Sequence, residues 1–337
     1  MGARLKDIAN HLNLSISTVS YALNGGPRPV TDEVRESVQR AAQELGYRPN
    51  RIARSLATRR TMTIGVVPTV VTQNLTLGPY FQSCFTGIVN ESENLGYDVL
   101  VFTRDVSDPG RLADLLLDGR IDGAIFLAPR RGSPILARLG DAGLPFCSVG
   151  TTEAESGPSV RCENARGVET AVRHLAELGH ERIAHLHGSL DHNDGVERLD
   201  AFRNAMTHHG LNVRADWTVD GGFQREIGYA AARRLLRQGD RPTAIVCGSD
   251  EIAVGAFEAA WELGLRIPED LSVVGFDDAP AAEIVLPRLT TVRQPMNEMG
   301  VAALGAVVDL LSGKAVENKV FPTELVIRRS TARPTKV

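Results

Sequence analysis

Over the first sixty residues the apolar side chains recur at helical spacing. Leu5, Ile8, Ala9 and Leu12 stand three and four residues apart and predict a short amphipathic helix. Asn13-Leu14-Ser15 interrupts it. A second helix is predicted over residues 16–23 with Ser15 as N-cap, Val19, Ala22 and Leu23 inside, and Ser17, Thr18 and Tyr21 outside. Asn24-Gly25-Gly26-Pro27 ends it, since glycine and then proline stop a helix. A third helix is predicted from Thr31, whose hydroxyl can cap it, with Asp32 and Glu33 favoured by the helix dipole. Val34, Val38, Ala41, Ala42 and Leu45 form its expected buried stripe, and Gly46 closes it. Two short helices joined by a tight turn and braced by a third have helix-turn-helix spacing. Periodicity alone leaves a three-helix module for protein contacts equally open.

Next, Tyr47-Arg48-Pro49-Asn50 is extended and polar, and residues 51–58 read as a short helix capped by Asn50. Two turns of helix are marginal in water. Arginines that meet phosphate and a leucine that wedges between base steps would hold such a helix on DNA. A solvated linker helix is the alternative.

From Thr63 the period changes. Apolar runs at 63–67, 97–102, 121–127, 146–149, 182–187, 244–247 and 272–276 predict strands. Amphipathic helices are predicted between them at 81–95, 111–118, 165–178, 197–208, 227–237 and 252–263. This β-α alternation implies parallel sheets covered on both faces, in two similar halves, with ligand bound beyond the C-terminal ends of the strands. That rule selects Tyr80 and Phe81 after the first strand, and the polar loop Asp191-His192-Asn193-Asp194 with Arg198 on the helix that follows. It also selects Phe223, Ser249-Asp250 and Asp277-Asp278. Aromatic faces, an arginine fork and carboxylates suit a sugar-like or nucleoside-like ligand.

Composition divides the chain further. Hydrophobic residues make up 43% and charged residues 23%, as in ordinary globular proteins. The whole carries a net charge of −4, yet the first sixty residues hold ten Lys and Arg against five acids, leaving 27 basic and 36 acidic residues for the rest. That asymmetry fits one module that meets phosphate and a larger one that does not. No signal-peptide run opens the chain and no stretch is long and apolar enough to span a bilayer, so the expectation is a cytoplasmic protein without a membrane partner. Cys84, Cys147, Cys162 and Cys247 lack metal-ligand spacing and read as small core residues. His185 and His187 share a strand face, and with His192 they would be the only metal suggestion; hydrogen-bonded strand-end histidines account for them, so neither metal nor cofactor is expected. The chain has no G-x-S-x-G, no P-loop, no G-x-G-x-x-G after a strand and no H-E-x-x-H, which argues against an enzyme. A solute-binding receptor would fit the larger part, but not the basic N-terminal module.

The segments Leu5-Lys6-Asp7-Ile8-Ala9, Ser17-Thr18-Val19-Ser20-Tyr21-Ala22-Leu23-Asn24-Gly25 and Leu45-Gly46-Tyr47-Arg48-Pro49-Asn50-Arg51-Ile52-Ala53-Arg54-Ser55-Leu56 resemble the LacI/GalR family of bacterial transcription regulators. The resemblance continues through Leu178-Gly179-His180, Gly248-Ser249-Asp250-Glu251 and Val274-Gly275-Phe276-Asp277-Asp278 to Pro287-Arg288-Leu289-Thr290-Thr291-Val292. It implies an all-α helix-turn-helix domain at residues 1–49, a hinge helix at 50–61, and a periplasmic-binding-protein-like α/β core at 62–333 with a short tail at 334–337. Within the core, an N-subdomain of about 62–162 and 293–320 and a C-subdomain of about 163–292 and 321–333 are expected. The implied function is a ligand-responsive repressor that binds a near-palindromic double-stranded operator as a homodimer, its affinity set by a small, sugar-like effector. The implied DNA contacts are Ser15, Ile16, Ser17, Thr18, Tyr21 and Asn24 on the recognition helix, and Asn50, Arg51, Ala53, Arg54 and the wedge Leu56 in the hinge. The implied effector contacts are Phe81, Arg198, Phe223, Ser249 and Asp277, with Tyr80, His192, Asp194 and Met296 around them. Three departures bear on specificity. Tyr21 stands where many members carry arginine, Gly150 stands where an acid is frequent, and residues 71–79 lack the common Asp-x-x-Asn-Pro pattern.

Overall fold

The structure, a computed structural model, describes residues 3–24, 28–47, 55, 58, 60–68, 78–104, 108–152 and 157–335. Asn50, Arg51, Ala53, Arg54 and Leu56 of the expected hinge, the Gly25-Gly26-Pro27 stop and the side chain of Asn24 lie outside the described residues. The chain divides into two compact units, Met1–Thr61 and Met62–Val337.

In the first unit, helices α1 (Leu5–Leu12), α2 (Ile16–Asn24) and α3 (Asp32–Glu44) close on a core of Ile8, Ala9, Val19, Ala22, Val38, Ala41 and Ala42. Each start has a local cause. The Arg4 amide donates to the Asp7 carboxylate at 2.7 Å, Ser15 Oγ accepts from the Thr18 amide at 3.0 Å, and Thr31 Oγ1 accepts from the Val34 amide at 3.4 Å. Asn13, with φ of 54°, turns the chain out of α1. Leu45 corrects the predicted stripe: it is 37% exposed, because α3 ends at Glu44 and the backbone turns through Gly46. Tyr47, whose amide returns to the Ala42 carbonyl at 2.8 Å, closes that end of the core instead.

The second unit holds two six-stranded sheets. The first takes β1 (Thr63–Pro68), β2 (Asp98–Val101), β3 (Gly123–Leu127), β4 (Phe146–Val149), β5 (Ser159–Cys162) and β11 (Lys319–Phe321), in the order β11-β5-β4-β3-β1-β2, all parallel. The second takes β6 (Ile183–His187), β7 (Thr218–Asp220), β8 (Ala244–Cys247), β9 (Ser272–Asp277), β10 (Thr290–Arg293) and β12 (Glu324–Val326), in the order β12-β10-β9-β8-β6-β7, with β12 alone antiparallel. Central strands such as β3, β4 and β9 are buried along their whole length, which is why they appear in the sequence as unbroken apolar runs.

Helices α4 (Pro79–Leu95), α5 (Pro109–Leu116) and α6 (Ile135–Asp141) belong to the first lobe. Helices α7 (Asn164–Glu177), α8 (Asn193–His208), α9 (Arg225–Leu236), α10 (Asp250–Glu262) and α11 (Pro280–Ile284) belong to the second. Helix α12 (Met296–Leu311) returns to the first lobe and packs on α4. There the backbones nearly touch: a Cβ at Gly87 would stand 2.0 Å from the Asn297 carbonyl oxygen, and one at Gly300 2.1 Å from that of Cys84. The chain passes between the sheets three times, at residues 162–164, 293–296 and 321–324.

Some elements carried too little pattern to be read. Strands β5, β7, β10, β11 and β12 have three or four residues each, and α12 is apolar on nearly every side. The expected loop 191–194 is also corrected. Helix α8 begins at Asn193, so Asp194 shares its first turns with Arg198. All four cysteines are buried and unpaired, and burial pushes the thiols of Cys147 and Cys162 up to about 12. Among the described residues no helix is long and apolar enough to cross a membrane.

Candidate functional site

The carboxyl ends of both sheets open onto a cleft of about 750 Å³, the size of a small-molecule site. Tyr80, Phe81, His192, Asp194, Arg198, Phe223, Ser249 and Asp277 all line it. Met296 does not. It packs in the apolar core with Met299 and Leu304 at the start of α12.

The centre of the site is a buried ion pair. Asp194, Glu197 and Arg198 lie three and four residues apart, which sets them on one face of α8. The Arg198 guanidinium, 3% exposed, lies 3.6 Å above the Phe276 ring. Its Nε donates to Asn164 Oδ1 and its Nη1 to the Gly248 carbonyl, both at 2.7 Å; Nη1 also stands 3.7 Å from Asp277 Oδ1. Asp277 in turn accepts from Gln294 Nε2 at 2.6 Å. Burial pushes its carboxyl up to about 6, against the opposing pull of Arg198 and Gln294.

Backbone strain aims these groups. Asp277 and Asp278 adopt φ of 126° and 57°, both in the left-handed region that disfavours a side chain. The turn sends Asp277 into the cleft and Asp278 to Arg293 and Arg328, each at 2.7 Å, so the two adjacent carboxylates diverge. Phe223 also has positive φ, 58°, and its ring covers Gly188, where a Cβ would meet ring carbons at 2.0 Å. Ser249 caps α10 by accepting from the Ile252 amide at 3.3 Å, which leaves its hydroxyl hydrogen for a ligand.

Asp250 does not face the cleft. Wholly buried, it accepts from Thr291 Oγ1 at 2.5 Å and the Ala279 amide at 2.7 Å, and burial holds its carboxyl well above the usual range. It braces the turn that presents Asp277. His185 bonds the Val246 carbonyl at 2.8 Å, stacks on Phe202 and is pushed down to about 3 by burial. His187 bonds the Gly188 carbonyl. Neither joins His192, and among the described residues no cluster suits a metal ion.

Several residues escaped the strand-end rule. Gln294 and Glu251 line the cleft, and Asn164 stands behind Arg198. Gln294 and Asn164 sit where the chain crosses between sheets, and the pairing of non-adjacent strands that brings those crossings to the cleft has no local signature in the sequence.

On the first unit, α2 presents Ile16 at 50% exposure and Ser17 fully outward, with Thr18 and Tyr21 half-buried beside them. The hydroxyls of Ser15 and Thr18 are 2.7 Å apart. The face holds no charge, only short polar groups, a β-branched apolar tip and a phenol, a set that fits base edges and thymine methyls.

Residues 4–50 match the family description of bacterial regulatory proteins of the lacI family, and residues 172–331 match a periplasmic binding protein-like domain. The chain is 34% identical over 98% of its length to a repressor named PurR from Erwinia tasmaniensis, covering 97% of that protein, and 33% identical with the same coverage to one from Serratia proteamaculans. Among solved structures it resembles a lac repressor dimer bound to operator and the anti-inducer ONPF (28% identity, 98% and 100% of the two chains, TM-score 0.86). It also resembles the regulator CelR in complex with cellobiose (32% identity, 97% and 99%, TM-score 0.76).

Proposed function

The chain belongs to the lacI family of bacterial regulatory proteins, and from that premise we propose how its own residues divide the work of a ligand-responsive repressor. It regulates transcription and is not an enzyme. Residues 1–49 bind the operator, 50–61 form the hinge, and 62–333 bind effector and dimerise, as one lobe of about 62–162 with 293–320 and another of about 163–292 with 321–333. Ser15, Ile16, Ser17, Thr18, Tyr21 and Asn24 meet the major groove. Asn50, Arg51, Ala53 and Arg54 meet phosphates and sugars around a wedge at Leu56.

Two copies related by a two-fold axis read the halves of a near-palindromic site. Large apolar side chains left in water support that assembly: Trp261 is 85% exposed, Leu286 85% and Ile284 75%. A protein that works on chromosomal DNA resides in the cytoplasm.

The observation that carries the effector reading is the buried Arg198–Asp277 pair in the lining of the cleft, its guanidinium stacked on the Phe276 ring. A neutral polyol meets both charges by donating hydroxyl hydrogens to Asp277 and accepting from the remaining guanidinium edge, while Phe223 and Tyr80 cover the ring faces. Met296 takes no part in this contact. The test is a melting-temperature screen of mono- and disaccharides against nucleosides, with DNA binding followed as salt rises. Stabilisation by sugars alone, together with a steep salt dependence, is expected. Stabilisation by nucleosides alone overturns the sugar reading, and absence of DNA binding under every condition overturns the assignment of the first unit.

A further inference from the structure

The two lobes of the second unit are already fastened to each other at the back of the cleft. From the second lobe, Asp194 accepts from the Thr151 amide at 3.2 Å and its hydroxyl at 2.9 Å, and Glu197 Oε2 stands 3.1 Å from that same hydroxyl. Glu197 Oε1 pairs with Arg161 of β5 at 3.5 Å. Gly150 makes the approach possible, for a Cβ there would stand 2.8 Å from Asp194 Oδ2. The Thr151 amide serves Asp194 alone and its one hydroxyl hydrogen cannot serve both carboxylates, so the facing oxygens of Asp194 and Glu197 call for a donor between them. That donor is Asn164, 1% exposed, whose Nδ2 gives to Asp194 Oδ1 at 2.7 Å and Glu197 Oε2 at 2.9 Å. Its Oδ1 accepts from Arg198 Nε at 2.7 Å. Asn164 is the first residue of α7, where the chain crosses from the first sheet to the second.

We infer that Asn164 is a positioning residue that couples occupancy of the cleft to closure of the lobes, its amide tying the ligand-facing Arg198 to the Asp194–Glu197–Thr151 clasp. The geometry leaves little slack. A ligand that draws the guanidinium forward pulls on Oδ1, and because the amide is planar its Nδ2 rotates with respect to both carboxylates. The clasp then loses the donor that lets two acids share one threonine, and the lobes separate. A ligand that holds Arg198 against Asn164 keeps the clasp shut. The same side chain therefore reads the cleft and sets the hinge at which it stands. The coupling to ligand rests on the cleft being the effector site; the clasp itself does not, and it is measured without effector.

The experiment is pulsed electron spin resonance on the full chain, with spin labels on cysteines introduced at exposed Asp141 in the first lobe and Glu181 in the second. The native cysteines are buried and stay unlabelled. Asn164→Asp keeps the acceptor for Arg198 and replaces the shared donor with a third carboxylate oxygen. We expect it to abolish the short-distance population seen in the unsubstituted chain, while Asn164→Asp combined with Asp194→Asn, which restores a donor across the same contact, brings that population back. Arg198→Lys, which removes the Nε donor to Asn164, depletes the short-distance population. Persistence of the short distance in Asn164→Asp overturns the clasp. Should that variant fail to fold, Thr151→Val removes the shared hydroxyl from the other lobe, and a short distance that persists there overturns the clasp equally. Failure of the double substitution to recover it assigns Asn164 to packing and overturns the positioning role. A short-distance population unchanged in Arg198→Lys overturns the link to the cleft.

Discussion

Ser17 on α2 and Ser249 at the mouth of the cleft offer the same hydroxyl in opposite settings. Ser17 stands in water, while Ser249 is 4% exposed and already accepts a backbone hydrogen bond. The contrast extends to their surroundings. Helix α2 carries no charge and leaves its polar face open, whereas the cleft buries Arg198 against Asp277, Asn164, the Gly248 carbonyl and the Phe276 ring. A face that reads DNA stays solvated until the duplex supplies partners, so it can be built on three short helices. A site that recognises a small molecule inside a fold has to satisfy its charges beforehand, because a charge stranded away from water is costly.

The sharpest way to break the contrast is to strand such a charge. In Asp277→Ala the 3%-exposed Arg198 loses its carboxylate partner. Breaking a buried pair costs about 3 kcal/mol. The melting temperature should fall, the effector-induced rise in it should vanish, and operator binding should persist. A normal effector response would remove the pair from the site. The less severe Asp277→Asn isolates the titration. Because the native carboxyl is pushed up to about 6 from a usual 3.8, the folded chain holds that proton more tightly than the unfolded one. Its contribution to stability is therefore full below about 4 and lost as pH rises through about 6. The melting temperature of the unsubstituted chain should drop relative to Asp277→Asn across that interval and run parallel to it above; parallel curves throughout would contradict the shift.

On the DNA side the effects are smaller and fall on affinity rather than on folding. Leu56→Ala should weaken operator binding by about tenfold through loss of the wedge, with little change on random duplex. Equal losses in a paired titration would refute the wedge. The smallest effects separate two serines on one helix. Ser15→Ala removes a cap and should cost about 1 kcal/mol of stability in the first unit. Ser17→Ala should leave melting unchanged and cost about 1 kcal/mol of operator discrimination. If both act on melting alike, Ser17 is structural and this face does not read DNA.

Where structure follows from neighbours along the chain, it was legible. The caps at Ser15 and Thr31 and the apolar stripes of α1 to α3 involve residues within four positions of each other, and the buried strands announce themselves as runs. Leu45 shows the limit: its spacing is right, but the core of so small a unit had already been closed by Tyr47. The strand-end rule placed Tyr80, Phe81, Arg198, Phe223, Ser249 and Asp277 at one cleft, since every parallel β-α unit delivers its loop to the same edge. It failed at Asp250, which the fold buries against Thr291 and the Ala279 amide, and at the start of α8, where helix begins inside a polar run; Met296, implied by the family resemblance, lies in the core.

By itself, then, the sequence determined the local elements, the class of both units and the edge at which each candidate side chain emerges, because these depend on periodicity and on the shared handedness of β-α crossovers. Only the tertiary structure decided what those side chains do for one another. Asn164 and Gln294 lie 130 positions apart, yet both reach the buried pair. The strand order that brings their crossings together arises from packing of the whole sheet, and no window of the sequence contains it.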